Sequence, residues 1–217
     1  MLRFRGPQYG AAVVEFHVVT LLAMLPLTLG LLQSAFLVTE NHHVDHAAFM
    51  AARAGATSNG QAESIRREFA RAMTPLFVNS DGPIDGSNVA GKVLDAYARS
   101  TLDFATYGTL RVLSPDADAQ ADFAEQRQGT RVIPNDSLEH RSGAPGARSG
   151  RSIHEANILR VEFTYCRPLI VPFVRQMLIG LLRRLDISAS HQRCYLAGRI
   201  PVVSIGTAPM QSDFRLR

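Results

Sequence analysis

The chain has 217 residues and a mass of 23.7 kDa, which allows one membrane anchor and one modest domain. Hydrophobic residues make up 46% of it and are concentrated before residue 57, so the remainder has the composition of an ordinary soluble domain. The pI near 9.5 does not indicate nucleic-acid binding, because the closest group of basic residues lacks aromatic side chains for stacking and fits a solvated linker (Arg141, Arg148 and Arg151).

Residues 16–39 form an apolar run in which His17 is the only side chain that can carry a charge. As an α-helix these 24 residues span about 36 Å, more than the roughly 30 Å hydrocarbon core of a bilayer. The run therefore predicts a transmembrane helix. A cleaved signal peptide is the alternative, but its apolar core is usually about 7–15 residues long, and "QSAFLVTENHH" offers a poor cleavage site.

Charged residues on the two sides of this run predict its orientation. Arg3 and Arg5 precede it, whereas Glu40 and Asp45 follow it, and the next basic residue is Arg53. Because positively charged flanks stay on the cytoplasmic side, we expect a cytoplasmic N-terminus and residues 40–217 outside the membrane.

The helix is predicted to continue beyond the membrane as a stalk. The stretch "HHVDHAAFMAARAGA" has high helix propensity through its alanines and Met50, and Gly55 followed by "TSNG" then breaks it. We therefore expect one helix over residues 11–56, about 69 Å long, with a bend allowed at Pro26. Such an extension is unusual for a simple anchor.

The start of the apolar run carries a pattern of its own. Gly10 is followed by "AAVVEF", so that Glu15 and Phe16 are the fifth and sixth residues after the glycine. The pattern resembles the processing site of type IV pilin-like proteins, and more narrowly that of the TadE/TadF-type pseudopilins of the tight-adherence (Flp) pilus system. "AFMAARAGA" is similar to the alanine-rich stretch after the membrane helix of this family, and "NILRVEFTYCRPLIVPF" and "GRIPVVSIGTAPMQS" look like its C-terminal segments. Residues 57–150 carry no such resemblance.

The resemblance implies that an aspartic prepilin peptidase removes a leader, residues 1–10, by cutting between Gly10 and Ala11. Glu15 and Phe16 then serve recognition and assembly, and the Glu15 carboxylate pairs with the N-terminal ammonium of a neighbouring subunit. The implied protein is a minor pseudopilin of the bacterial inner membrane with a periplasmic domain. Its implied partners are the peptidase, other pilin subunits and the inner-membrane pilus platform.

Two departures and two alternatives accompany this interpretation. His17 and Gln33 interrupt a pattern that is otherwise apolar in the family. Glu15 can also simply reach the cytoplasmic headgroups from the start of the helix. The chain as a whole can be a static, inner-membrane-anchored binding or envelope protein that never assembles.

The exported part, residues 57–217, is predicted to be a small α+β domain of helices on an antiparallel sheet. Amphipathic helices are expected over 60–77, with Ile65, Phe69, Met73 and Leu76 on one stripe, and over 88–106, with Val89, Val93, Leu94, Tyr97 and Phe104. A further helix is expected to begin with Ser114 as its N-cap and Pro115 at its first position.

Three strands are expected, over 109–114, 157–166 and 200–210, the second carrying an imperfect alternation of Ile158, Val161, Phe163 and Tyr165. The apolar helix between the last two strands is expected to pack on the sheet, with the membrane surface as the alternative. Loops are predicted over 79–88 and, as a flexible segment, over 135–153.

The two cysteines, Cys166 and Cys194, both lie in the exported part. In an oxidising compartment they favour one disulfide, which closes a loop of about 29 residues and contributes about 3 kcal/mol. Two buried free thiols are expected instead if the domain faces a reducing compartment.

Catalytic and metal-binding motifs are missing from the sequence. His42 and His46 have the helical spacing of a zinc pair, but His43 occupies the position where the metalloprotease motif has glutamate. "NSDGPIDGSN" lacks the spacing of a calcium loop, and no P-loop, G-x-G-x-x-G, G-x-S-x-G or C-x-x-C motif occurs. We therefore expect a protein without enzymatic activity, cofactor or metal.

Overall fold

The computed structural model of the protein describes residues 11–78, 85–86, 88–127 and 129–215. Gly10 and most of the loop predicted over 79–88 lie outside the described residues. The fold is mixed α+β, with a long N-terminal apolar helix and two small antiparallel sheets. The chain divides into two compact units, one of Met1–Glu40 with Pro168–Ile200 and the other of Asn41–Arg167 with Pro201–Arg217.

The N-terminal helix consists of α1 (Ala11–Val19), a π-helical turn (Thr20–Met24) and α2 (Leu25–Thr57). The Leu25 N–H donates to the Thr20 carbonyl, five residues back. The wider turn ends two residues before Pro26, which has no N–H for the helical ladder and whose ring crowds the preceding turn. The long helix expected from the sequence is confirmed, with an irregular turn next to the proline where a bend was allowed.

The helix ends at the predicted glycine signal. The Gly55 carbonyl accepts from the Ser58 N–H at 3.2 Å and from the Gly60 N–H at 2.9 Å. Asn59 and Gly60 have φ of 58° and 70°, the left-handed conformation that Asn and Gly adopt most readily. The Asn59 side chain donates to the Asp213 carbonyl at 2.8 Å, so the end of the chain fixes the end of the helix.

The remaining elements follow in chain order. They are α3 (Ala62–Met73), a 3-10 turn (Thr74–Phe77), α4 (Val89–Tyr107), β1 (Gly108–Ser114), α5 (Ala117–Phe123), β2 (Glu125–Arg127), β3 (Thr130–Ile133), a 3-10 turn (Leu138–His140), α6 (Ile153–Ala156), β4 (Ile158–Pro168), α7 (Pro172–Leu185), α8 (Ala189–Leu196), β5 (Arg199–Pro209) and β6 (Phe214–Arg215). One sheet has the order β1-β4-β5 and the other β2-β3-β6, so the single sheet expected from the sequence is in fact two.

The second half of α2 forms the centre of the larger unit. Its residues Val44, Ala47, Ala48, Ala51, Ala52 and Ala56 are at most 1% exposed. Their small side chains allow β5 to approach closely, and at Gly206 a Cβ atom would lie 2.0 Å from the Ala48 carbonyl oxygen. In the same hydrophobic core, Phe69 stacks on Phe163 with ring centroids 4.2 Å apart. The alanine-rich stretch is therefore the core of the domain and not a free stalk.

Several details of the predicted domain differ in the structure. Val89, Val93 and Leu94 of α4 are exposed, and Phe104 is the buried apolar residue of the predicted set, beside Ala96 and Ser100. The buried alternation of β4 runs through Leu159 and not Ile158, because Ile158 is the first residue of the strand and lies on its outer face.

The start of α5 also differs from the prediction. Ser114 is still part of β1, where it pairs with Arg160, and therefore does not cap the helix. Asp116 is the N-cap, and its carboxylate accepts from the Ala119 N–H at 2.9 Å.

The arginine-containing loop of residues 135–153 is held by specific polar contacts. The Asp122 carboxylate accepts from the Ser149 N–H at 2.8 Å and from the Arg148 N–H at 3.1 Å, and these bonds, the Ser149 bond most, lower its pKa. Arg141 lies 2.6 Å from the Glu125 carboxylate, and Arg151 lies 3.3 Å from that of Asp116. These guanidinium groups therefore pair with acids of the same domain.

The smaller unit combines the start of the N-terminal helix with the segment that connects β4 to β5, called here the 168–200 segment. Its helices α7 and α8 share an apolar cluster whose members are Leu169, Tyr195 and Ile200, with Leu37, Leu178, Ile179 and Leu182 packed against them. The buried side of α7 thus contacts α8 and the N-terminal helix, and Ile200 is the only strand residue of the cluster.

Candidate functional site: the N-terminal helix

The first half of the N-terminal helix exposes apolar side chains on nearly all sides. Phe16, Leu22 and Leu31 are 68, 76 and 64% exposed, and most of their neighbours between residues 13 and 38 are similar. Residues Val13–Thr57 contain a helix that is long and apolar enough to cross a membrane, by length and composition. Water solvates such a surface poorly, so the exposed apolar side chains are consistent with a single membrane-spanning helix.

Glu15 lies on this apolar surface, one turn after the start of α1. It is the only acidic residue between positions 11 and 39. Its side chain is exposed, and no group among the described residues forms a hydrogen bond or an ion pair with it. If the helix lies in lipid, this carboxylate is costly unless a cation from outside the described residues or the lipid headgroups contact it.

Phe16 and His17, which follow Glu15 in the helix, contact each other. Phe16 is exposed, and its ring lies edge-to-face against His17 with centroids 6.0 Å apart. The Nδ1 atom of the His17 imidazole forms a hydrogen bond of 2.7 Å with the Val13 carbonyl of the same helix. The histidine that departs from the family pattern therefore has a local partner, whereas the glutamate has none among the described residues.

The proposed cut site is described only on one side. Ala11 is the first residue of α1, and Gly10 lies outside the described residues. Were the chain cut before Ala11, the new ammonium would stand at the start of the helix, four residues before Glu15.

Hydroxyl groups farther along the helix bond to its own backbone. Thr28, Ser34 and Thr39 donate to the carbonyls of Leu25, Gly30 and Ala35, at 2.9, 2.9 and 3.2 Å. Internal bonding of this kind lowers the cost of placing a hydroxyl in hydrocarbon. These polar residues are therefore compatible with an apolar environment.

Gln33, the second departure from the family pattern, has a partner far away in the sequence. Its side chain is 2% exposed, and its Oε1 accepts from the Val171 N–H at 2.9 Å. Its Nε2 is buried without a hydrogen-bond partner among the described residues. The sequence shows the interruption of the apolar run but cannot show that residue 171 meets it, since 138 positions separate the two.

The remaining candidate residues lie outside the helix's apolar half. Cys166 and Cys194 are disulfide-bonded, which is consistent with the predicted disulfide. His42 and His46 are exposed on the surface of α2, and the described residues contain no group of three His, Cys, Asp or Glu side chains placed to hold a metal ion.

A polar cluster closes the turn between α7 and α8. The Asp186 carboxylate accepts from the Ser188 N–H at 3.0 Å, from Tyr195 Oη at 2.8 Å and from His191 Nδ1 at 2.7 Å. These bonds lower the pKa of Asp186, and the bond from the Ser188 backbone N–H contributes most. Burial of the Tyr195 side chain, together with its hydrogen bond to Asp186, raises the pKa of Tyr195 to about 12. The cluster fixes the turn, because each of its groups is within ten residues of the others in the chain.

Comparison with known proteins adds no relative. No family profile, curated protein or solved structure matches the chain. The function must therefore be inferred from the residues of the helix and their environment.

Proposed function

We propose that the protein is a minor pseudopilin that takes part in assembly of a tight-adherence (Flp, type IV-like) pilus or secretion machine after processing by a prepilin peptidase. It crosses the inner membrane once, with its N-terminus in the cytoplasm and its domain in the periplasm. It acts by packing its helix against other pilin helices, and it catalyses no reaction.

The observation that carries the proposal is the environment of Glu15. A single carboxylate without a partner among the described residues lies near the start of a helix whose other side chains are mostly apolar and exposed. An assembly helix explains this arrangement, because the ammonium of a processed neighbour supplies the missing cation. The pair then fixes the register between helices more than it stabilises them, since desolvation offsets much of the Coulomb attraction.

The division of the helix into two environments also supports the proposal. Its first half presents apolar side chains outward, and its second half supplies the alanine core of the domain. Removing the whole helix would remove that core. A cut before Ala11 instead keeps both the apolar first half and the alanine-rich second half in the mature chain.

N-terminal sequencing of the full chain, produced together with its prepilin peptidase, tests the processing step. We expect a mature protein that begins at Ala11, and a Gly10→Val variant that stays uncleaved because its side chain obstructs the peptidase. Gly6→Val is the matched control and should be cut normally. A mature protein that begins elsewhere, or one that is never cut, would refute the proposed processing.

The Glu15→Leu variant separates assembly from static anchoring. We expect it to be processed and inserted in the membrane but to be lost from the assembled machine, as measured by pull-down of partner subunits and by counting pili. Glu63→Leu, which changes an exposed carboxylate of α3, is the control and should assemble normally. Unchanged piliation and partner association in Glu15→Leu would favour a static envelope protein.

A further inference from the structure

The 168–200 segment presents a second apolar surface, apart from that of the N-terminal helix. Met177, Leu181 and Leu185 follow one another at intervals of four residues and form a row along α7, 53–69% exposed. Ile170, Ile187 and Leu196 of the same segment are also exposed, by 57, 94 and 68%. So many large apolar side chains on one short segment indicate an interaction surface.

The contacts of this segment with the N-terminal helix fix its depth along that helix. Val171 bonds to Gln33, and Leu37 packs into the cluster of α7 and α8. Gln33 and Leu37 lie six and two residues before the end of the apolar run at Thr39, or about 9 and 3 Å along the helix axis. If the run crosses a bilayer, the segment is therefore held at the level of the outer lipid interface.

The charge of the 168–200 segment also suits the outer lipid interface. It contains five arginines and a single acid, Asp186, which is engaged by Ser188, Tyr195 and His191. Arg199 has a partner within the chain, and the other four arginines are exposed (Arg175, Arg183, Arg184 and Arg193). Arginine side chains beside an apolar row match the headgroup region of a membrane with anionic phospholipids, where long cationic side chains reach the phosphates.

We propose that the 168–200 segment lies in the outer interface of the bilayer, with Met177, Leu181 and Leu185 among the acyl chains and its arginines at anionic headgroups. The proposal rests on the membrane span of the proposed function and adds a second membrane contact beside it. A helix that lies in the interface buries its apolar face by about 5–10 Å, which agrees with the depth set by Gln33 and Leu37.

The natural absence of tryptophan allows a direct test, because a single introduced Trp is the only such fluorophore in the chain. The full-length protein is reconstituted in vesicles of phosphatidylcholine and phosphatidylglycerol, with and without brominated acyl chains. We expect Leu181→Trp to emit at shorter wavelength than an exposed Trp and to lose fluorescence with lipids brominated near the headgroup. Leu185→Trp is a second probe on the same row, in case the first variant fails to fold.

Two further variants give each outcome a distinct meaning. Gln176→Trp, on an exposed polar position of α7, should not be quenched, whereas Leu22→Trp, within the apolar run, should be quenched by deeply brominated lipids. Quenching at Leu22 without quenching at Leu181 or Leu185 overturns the proposal and leaves the span intact. Failure at Leu22 refutes the span itself.

Two additional results test whether lipid or another copy of the chain covers the row of α7, and whether the arginines contribute to lipid binding. A shift of emission that grows with protein concentration but is not quenched by brominated lipid would assign the row to a second copy of the chain and overturn the proposal. In vesicles of phosphatidylcholine alone we expect weaker quenching at Leu181, and equal quenching in both lipids would refute the role of the arginines.

Discussion

The close approach of β5 to the N-terminal helix at Gly206 predicts that Gly206→Ala strongly destabilises the protein. A Cβ atom at this position would lie 2.0 Å from the Ala48 carbonyl oxygen, 2.6 Å from its carbonyl carbon and 3.0 Å from the Ala52 Cβ. The first two atoms belong to helical backbone in the core, so no side-chain rotation relieves the contact. The strand and the helix must move apart instead.

The size of the effect follows from that separation. Restoring an ordinary contact of 3.4 Å requires a movement of more than 1 Å between two packed elements. Overpacking of a core typically costs about 1–3 kcal/mol, and a clash with backbone belongs at the upper end. For a chain of this size, about 3 kcal/mol corresponds to a decrease of about 6–12 °C in the unfolding midpoint.

The measurement is thermal or denaturant unfolding of the full chain in detergent micelles, followed by circular dichroism. Gly91→Ala is the matched control, because a Cβ atom there meets nothing within 4 Å and the residue lies in the helix α4. The control should be stabilised by about 0.5–1 kcal/mol. If Gly206→Ala unfolds at the same midpoint as the wild type, the close docking of strand on helix is wrong.

Three other perturbations have expected outcomes. Changing both disulfide-bonded cysteines to serine should lower the free energy of unfolding by about 3 kcal/mol, and equal stability with and without reductant would contradict this. The hydrogen bond from Arg141 lowers the pKa of Glu125, so its stabilisation is present above the unfolded pKa near 4.5 and lost as the pH falls further; an acid titration should be flatter for Arg141→Leu. Asp122→Asn should release the loop held by that carboxylate and speed its cleavage by trypsin, whereas Asp118→Asn, an exposed acid of the same helix, should not.

The N-terminal helix is the part of the fold that the sequence predicts best. An apolar run followed by an alanine-rich stretch and a Gly55 signal contains all of its determinants locally. What the sequence does not reveal is the role of the alanines. The same small residues that favour a stalk also suit a buried helix, and the partner that decides between them, Gly206, lies in the last long strand.

The second sheet is missed for a different reason. Its strands Glu125–Arg127, Thr130–Ile133 and Phe214–Arg215 contain two to four residues each, too few for an alternation of apolar and polar positions to be recognised. The third of them comes from the end of the chain. Pairing of this kind is set by tertiary contacts and not by local propensity.

Within the candidate site, the sequence locates Glu15 but misreads Gln33. The glutamate is identified by its distance from Gly10 and by the helix that follows, both local features. In the sequence the glutamine only interrupts an apolar run. The structure shows that its side-chain oxygen accepts a hydrogen bond from the Val171 N–H at 2.9 Å. A buried amide in this position is the partner of an otherwise unsatisfied backbone donor.

The Gln33 contact also bears on the alternative of a cleaved signal peptide. A cut at the end of the apolar run would remove Gln33 and Leu37 from the 168–200 segment. The Val171 N–H would lose its acceptor, at a cost of about 1–3 kcal/mol if it stayed buried, and the apolar cluster of α7 and α8 would lose one of its walls. A cut after Gly10 leaves both contacts in place. The packing of the 168–200 segment therefore argues against a cut at the end of the apolar run.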